Sequence, residues 1–267
     1  MIQKHILAVV AIAGAVIVLG GIFFLFVVQP NVVRAPTETA NSTPRSDEQV
    51  QNPGNQGYTI TQLPVDDIRS QMPDLSRDIV FDNSIPTEVQ MSLTEKARSL
   101  KAVLTDDPTR TDLWFNLAIV YHSANDYDGA RAVWEFLIKV VPEDTTSYDN
   151  LGKLYHFSLH DYPKAESYFN QSLAVNPNLM TPYLELFELY RYSYKTDTTK
   201  AADIIHKAIA KFPGTLDFHV LLGDYYRDRG DVVKAKAEYL TAMDLARKAG
   251  DVSRINAIGE SILKLPQ

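Results

Sequence analysis

Trp114-x-x-Leu117-Ala118-x-x-Tyr121, then Ala130-x-x-x-Trp134, then Pro142, is the stretch whose reading decides the fold of this chain. Its large residues stand at i, i+3 and i+7, one stripe of a helix. The small residue after Leu117 leaves room for a second helix to come close, and Ala130 does the same for the helix that follows. The pattern returns three times. Tyr148-x-x-Leu151-Gly152-x-x-Tyr155 leads to Ala165-x-x-x-Phe169 and Pro177. Tyr183-x-x-Leu186-Phe187-x-x-Tyr190 leads to Ala201-x-x-x-Ile205 and Pro213, and His219-x-x-Leu222-Gly223-x-x-Tyr226 leads to Ala235-x-x-x-Tyr239. Each proline ends a second helix, because it cannot extend it and disfavours helical backbone in the residue before it. Pro108, Pro142, Pro177 and Pro213 stand 34, 35 and 36 residues apart. The drift is one extra residue in 156–162 and two in 192–200, both expected in turns between helices, where insertions are tolerated.

This order and spacing resemble the tetratricopeptide repeat (TPR) family over roughly residues 111–247. The resemblance implies an all-α fold: a TPR helical solenoid of four helix-turn-helix repeats with capping helices. The aromatic residues of the pattern are then core. Phe187 stands where the other repeats have Ala or Gly, so the third repeat is expected to be splayed or repacked.

Outward from the repeats, 111–250 is the repeat module, and 86–110 reads as an N-terminal capping helix. Val89, Leu93, Ala97, Leu100, Val103 and Leu104 share one of its faces, and Thr87 is expected to cap its start. Gly250 stops the last repeat helix, and residues 251–267 form a C-terminal cap carrying Val252, Ile255, Ile258, Ile262 and Leu263. Residues 58–85 are apolar but broken by Pro64 and Pro73. They read as an extended segment that lies along the solenoid, anchored by Ile68, Leu75, Ile79 and Phe81. Residues 29–57, rich in Pro, Thr, Ser, Asn and Gln, read as a disordered linker.

Residues 6–28 form an apolar run with no charge. At 1.5 Å per residue such a run reaches roughly 34 Å, enough for a transmembrane helix and too long for the apolar part of a signal peptide. The solenoid is therefore expected behind a single N-terminal transmembrane helix. The short tail 1–5 carries Lys4, and the expected topology is a single-pass membrane protein with a cytoplasmic N-terminus and an extracytoplasmic repeat module.

The chain has 267 residues and a net charge of −7, which argues against nucleic acid as a partner. It has no cysteine, so disulfides, thiolate nucleophiles and cysteine metal sites are excluded. No glycine-rich phosphate loop, Gly-x-Ser-x-Gly or paired His-Glu motif occurs. Asp66-Asp67, Asp106-Asp107 and Glu143-Asp144 read as caps and solvated loops or linker. No enzyme, metal or cofactor is expected. His122 and His156 hold equivalent places in two repeats, and both read as surface histidines of a binding groove.

The family resemblance also implies which residues line the concave groove. In the first repeat these are Phe115, Asn116, Ile119 and His122, and in the second Asp149, Asn150, Lys153, His156 and Phe157. The third offers Glu185, Glu188, Arg191 and Tyr192, and the fourth Asp224, Arg227 and Asp228. Asparagine at the place of Asn116 and Asn150 can hydrogen-bond the backbone of an extended peptide in the family. Phe115 and Ile119 stand where a carboxylate clamp has Lys and Asn, which argues against capture of a C-terminal carboxylate. The expected function is a membrane-tethered, non-enzymatic scaffold that binds a protein or peptide in this groove and helps organise an envelope complex. The alternatives are a self-associating structural membrane protein and an accessory subunit of a membrane enzyme.

Overall fold

The computed structural model describes residues 63–266, which form eleven α-helices and no strand. The apolar run 6–28, the linker 29–57 and the start of 58–85 lie outside the described residues. Among the described residues no helix is long and apolar enough to cross a membrane.

A short helix α1 (Val65–Gln71) precedes α2 (Thr87–Asp106). Four helix pairs follow: α3 (Thr111–Ser123) with α4 (Tyr127–Val140), and α5 (Thr145–Lys153) with α6 (Tyr162–Val175). Next come α7 (Thr181–Glu188) with α8 (Lys200–Lys211), and α9 (Leu216–Asp228) with α10 (Val232–Ala249). The chain closes with α11 (Val252–Leu263). Each helix packs on its neighbours in sequence, from α2 on α3 to α10 on α11, so the repeats stack as a solenoid.

The small residues work as the pattern requires. A Cβ added at Gly152 would stand 2.4 Å from the Phe169 ring, and one at Gly223 would stand 2.5 Å from Tyr239. In the third repeat the bulk changes sides: Phe187, 2% exposed, sits on the first helix and Ile205 replaces the ring on the second. That repeat is repacked. In the first and third repeats the first aromatic also reaches back to the proline before it. Trp114 Nε1 donates to the Pro108 carbonyl at 2.9 Å, and the Tyr183 hydroxyl donates to that of Pro177 at 3.2 Å.

The turns inside three repeats share a device. Asn125, His160 and Gly230 take positive φ (57°, 55° and 76°), and the aspartate after each caps the second helix. Asp126, Asp161 and Asp231 accept from the amide three residues on, at 3.0, 3.2 and 3.1 Å. Two of the three extra residues are not in turns between helices. They continue the first helix as π-helical turns, Leu154–Ser158 after α5 and Leu189–Ser193 after α7. The amides of Leu159 and Tyr194 donate five residues back, to Leu154 and Leu189, at 2.9 and 2.7 Å, which absorbs one extra residue into the helix. The second extra residue of the third repeat lengthens the turn before α8.

Residues 63–85 do not run the length of the stack. They strap its N-terminal end. Ile68 is buried, and Met72, Leu75 and Ile79 pack against the core, while Phe81 is half-buried. Arg69 donates to the carbonyls of Thr105 and Asp106 at 3.1 and 3.0 Å, and the Asp82 amide donates to Ala124 at 3.3 Å. The segment is not wholly extended, since Asp66 and Asp67 open α1, where their charge suits the helix N-terminus.

Three smaller expectations are corrected. Pro86, not Thr87, holds the N-cap position of α2, and no side chain caps it. Val89 and Val103 lie exposed at the rim of the α2 face whose centre is Ala97 and Leu104. In α11, Ile258 is buried while Val252 and Leu263 are exposed at 66% and 86%.

Candidate functional site

Polar bonds between consecutive first helices bring predicted groove residues of the second, third and fourth repeats together. Lys153 of α5 pairs with Glu185 of α7 at 3.2 Å. Arg191, just after α7, pairs with Asp228 of α9. His156 Nε2 lies 2.8 Å from Ser193 Oγ and joins the two π-helical turns. These bonds tie the three first helices to one another.

In the first repeat Asn116, Ile119 and His122 are exposed, and Phe115 packs its side chain partly into the core. The His122 ring lies 5.8 Å from Tyr127 and from Trp134. In the second repeat Asn150 and Lys153 are half-buried and Phe157 is 55% exposed. His156 is a correction. It is 4% exposed, not a surface residue, and its ring stacks on Phe157 at 4.0 Å. Burial pushes its pKa down to about 4, and His160 nearby adds to this, so the ring is neutral at pH 7.

In the third repeat Glu188 and Tyr192 are exposed, Tyr192 at 65%. The Arg191 guanidinium lies 4.9 Å from the Tyr192 ring and 5.4 Å from that of Phe187. In the fourth, Arg227 is tied up within its own repeat. It donates to Asp224 at 2.7 Å, to Asp228 at 2.9 Å and to the Tyr239 hydroxyl at 3.2 Å. It is part of the frame rather than a free cation.

The centre of the face is acidic. Asp149, Glu185, Glu188, Asp224 and Asp228 meet Lys153, Arg191 and Arg227, an excess of two carboxylates. Burial pushes Asp149 up to about 6, although the Ser172 hydroxyl and Lys153 pull it down. Burial also raises Glu185, against the pull of Lys153. Among the described residues no three metal-ligating side chains come together.

Ser193 and Asp126 were not singled out by the sequence reading. Ser193 sits inside an insertion and had no repeat position to mark it. Asp126 had a signal: an aspartate recurs at the same turn as Asp161 and Asp231.

Residues 145–179, the second of the repeats, match the family model described as Tetratricopeptide repeat. A stretch of 103 residues is 30% identical to the mRNA 3'-end-processing protein rna-14 of Neurospora crassa, covering 38% of this chain and 9% of that protein. A stretch of 87 residues is 28% identical to Protein O-mannosyl-transferase TMTC1 of Mus musculus, covering 33% of this chain and 9% of that protein. The chain thus spans under a tenth of the length of these curated relatives. It is also similar to the crystal structure of MamA, at 20% identity and a TM-score of 0.48, over 64% of this chain and 99% of that one.

Proposed function

We propose that this protein is a membrane-tethered, non-enzymatic scaffold. It binds an extended segment of a partner protein across the first-helix face of its tetratricopeptide repeats, and so helps organise an envelope complex. The observation that supports this most is the cross-linked face itself. Lys153–Glu185, Arg191–Asp228 and His156–Ser193 hold three neighbouring first helices in register, while Ile119, Phe157 and Tyr192 stay 49%, 55% and 65% exposed. The strap 63–85 lies on α2 and the turn after α3, so its contacts are elsewhere. Residues 6–28 are the anchor in this reading, with the N-terminus cytoplasmic and the repeats outside.

A photo-crosslinking residue placed at Asn116 or Asn150 in the full chain, in cells, tests the binding face. Adducts to a second polypeptide are expected at both positions and not at Lys236, which is exposed on α10. Adducts equally strong at Lys236, or absent at both groove positions, would reject the reading. Protease protection of tags at either end tests the topology.

A second reading, self-association, is favoured by one feature of α2: Val89, Met91 and Val103 are 43%, 68% and 44% exposed. Sedimentation of the full chain in detergent would show a dimer that Met91→Asp dissolves.

A further inference from the structure

The π-helical turns do more than absorb insertions. They bring two aromatic residues, Phe157 and Tyr192, to the surface near an acidic frame. Phe157 and Tyr192 flank the His156–Ser193 bond that ties the two turns together, and both rings are more than half exposed. Both aromatics thus stand exposed on neighbouring elements, on either side of a part-buried bond. The groups around Tyr192 are Arg191, Asp228, Glu188 and Asp224. Arg191 is committed to Asp228, and Arg227 to Asp224 and Asp228. Towards α5, Asp149 and Glu185 both face Lys153. Among the described residues the carboxylates at this face outnumber the cations, and the two rings beside them are each more than half exposed.

Building on the groove reading above, we infer that the bound segment is cationic and apolar. It carries Lys or Arg to meet Glu188 and the carboxylates beside it, and a large apolar side chain that seats against Phe157 and Tyr192. An acidic segment would meet uncompensated carboxylates and be turned away. The rings add area and a surface for a guanidinium or ammonium to stack on.

The test uses the full chain in mild detergent against an array of synthetic peptides about 12 residues long, roughly 40 Å when extended. Net charge and large apolar content are varied independently. The inference expects retention only of peptides that combine Lys or Arg with Phe, Leu or Tyr, weakening as salt rises. Phe157→Ser with Tyr192→Ser should reduce that retention about tenfold or more. Both sites are exposed, so folding should survive. Glu188→Lys should move preference away from cationic peptides, and Val233→Ser, on α10 and 81% exposed, should change nothing. Preferential retention of acidic or uncharged peptides would overturn the inference and leave the groove reading standing. So would cationic binding that the paired serine variant does not weaken. Retention of no peptide of any class, together with no crosslink at Asn116 and Asn150, would overturn both.

Discussion

Arg77 grips Asp126 with two nitrogens, at 2.6 and 2.8 Å, across 49 positions of sequence. The same carboxylate accepts the Val80 amide at 2.9 Å and caps α4 through the Gly129 amide at 3.0 Å. Its side chain is 2% exposed. Burial pushes it up, but Arg77 and the two amides outweigh that and hold it below the usual carboxylate range. Arg77 also lies 5.3 Å from the ring centre of Tyr121, the last signature residue of the first helix. One carboxylate thus joins the strap, the turn of the first repeat and the start of its second helix.

Arg77→Ala should therefore destabilise by about 2–3 kcal/mol, because a buried carboxylate loses its charge partner and keeps only its amides. Arg77→Lys should fall between, since an ammonium cannot make the paired contact. Urea midpoints report this directly. Equal midpoints for all three chains would show that the pair contributes nothing.

The strap's contacts confine its influence. Its polar bonds go to Thr105, Asp106, Ala124 and Asp126, at the N-terminal end of the stack. Removing residues 63–85 should raise hydrogen exchange in α2, α3 and the start of α4, and leave α8 to α10 as they were. Unchanged exchange in α3 would mean the strap is only a linker. Faster exchange throughout would mean it stabilises the stack as a whole.

Gly152 tests the helix crossing. A Cβ there stands 2.4 Å from Phe169, so Gly152→Leu should cost more than about 2 kcal/mol. Phe187 with Ile205 shows how the third repeat places bulk on the first helix instead. Gly152→Phe combined with Phe169→Ile copies that arrangement and should be more stable than Gly152→Phe alone. A thermal midpoint for Gly152→Leu equal to wild type would remove the packing argument.

The stacked helices were readable because a period near 34 and a stripe at i, i+3 and i+7 are properties of the chain itself. The insertions were readable in place but not in form. One extra residue fits a loop or a π-helical turn equally well in a sequence, and only packing chooses. That choice decided His156, since an added residue in the turn changes which way later side chains face. Arg227 meets Asp224 within α9, an i,i+3 pair that the spacing already contains, but the Tyr239 hydroxyl reaches it only once α9 and α10 pack. The strap's apolar anchors could be read from composition. Its main polar anchor, Arg77, could not, because nothing local marks a partner 49 positions away.

Buried His156 and half-buried Asp149 should give opposite pH signatures. His156 titrates near 6.5 when unfolded and about 4 when folded, so between these values the unfolded chain binds more protons. Its contribution is fully present above about pH 6.5 and is lost as pH falls to about 4, the loss there amounting to about 3 kcal/mol. Asp149 has the reverse sign. Its carboxyl rises from 3.8 to about 6 in the folded chain, so the folded state binds more protons in that window. Stability from Asp149 then grows as pH falls through it, by a similar amount. In the wild type the two slopes largely offset. Comparing each variant with wild type at every pH removes the other titrating groups. Relative to wild type, His156→Gln should gain stability as pH drops from 6.5 to 4, and Asp149→Asn should lose it. Urea denaturation at half-unit steps of pH measures both differences. If neither varies with pH, these side chains titrate as they would in water, and the burial that ties the two π-helical turns together is not what the fold maintains in solution.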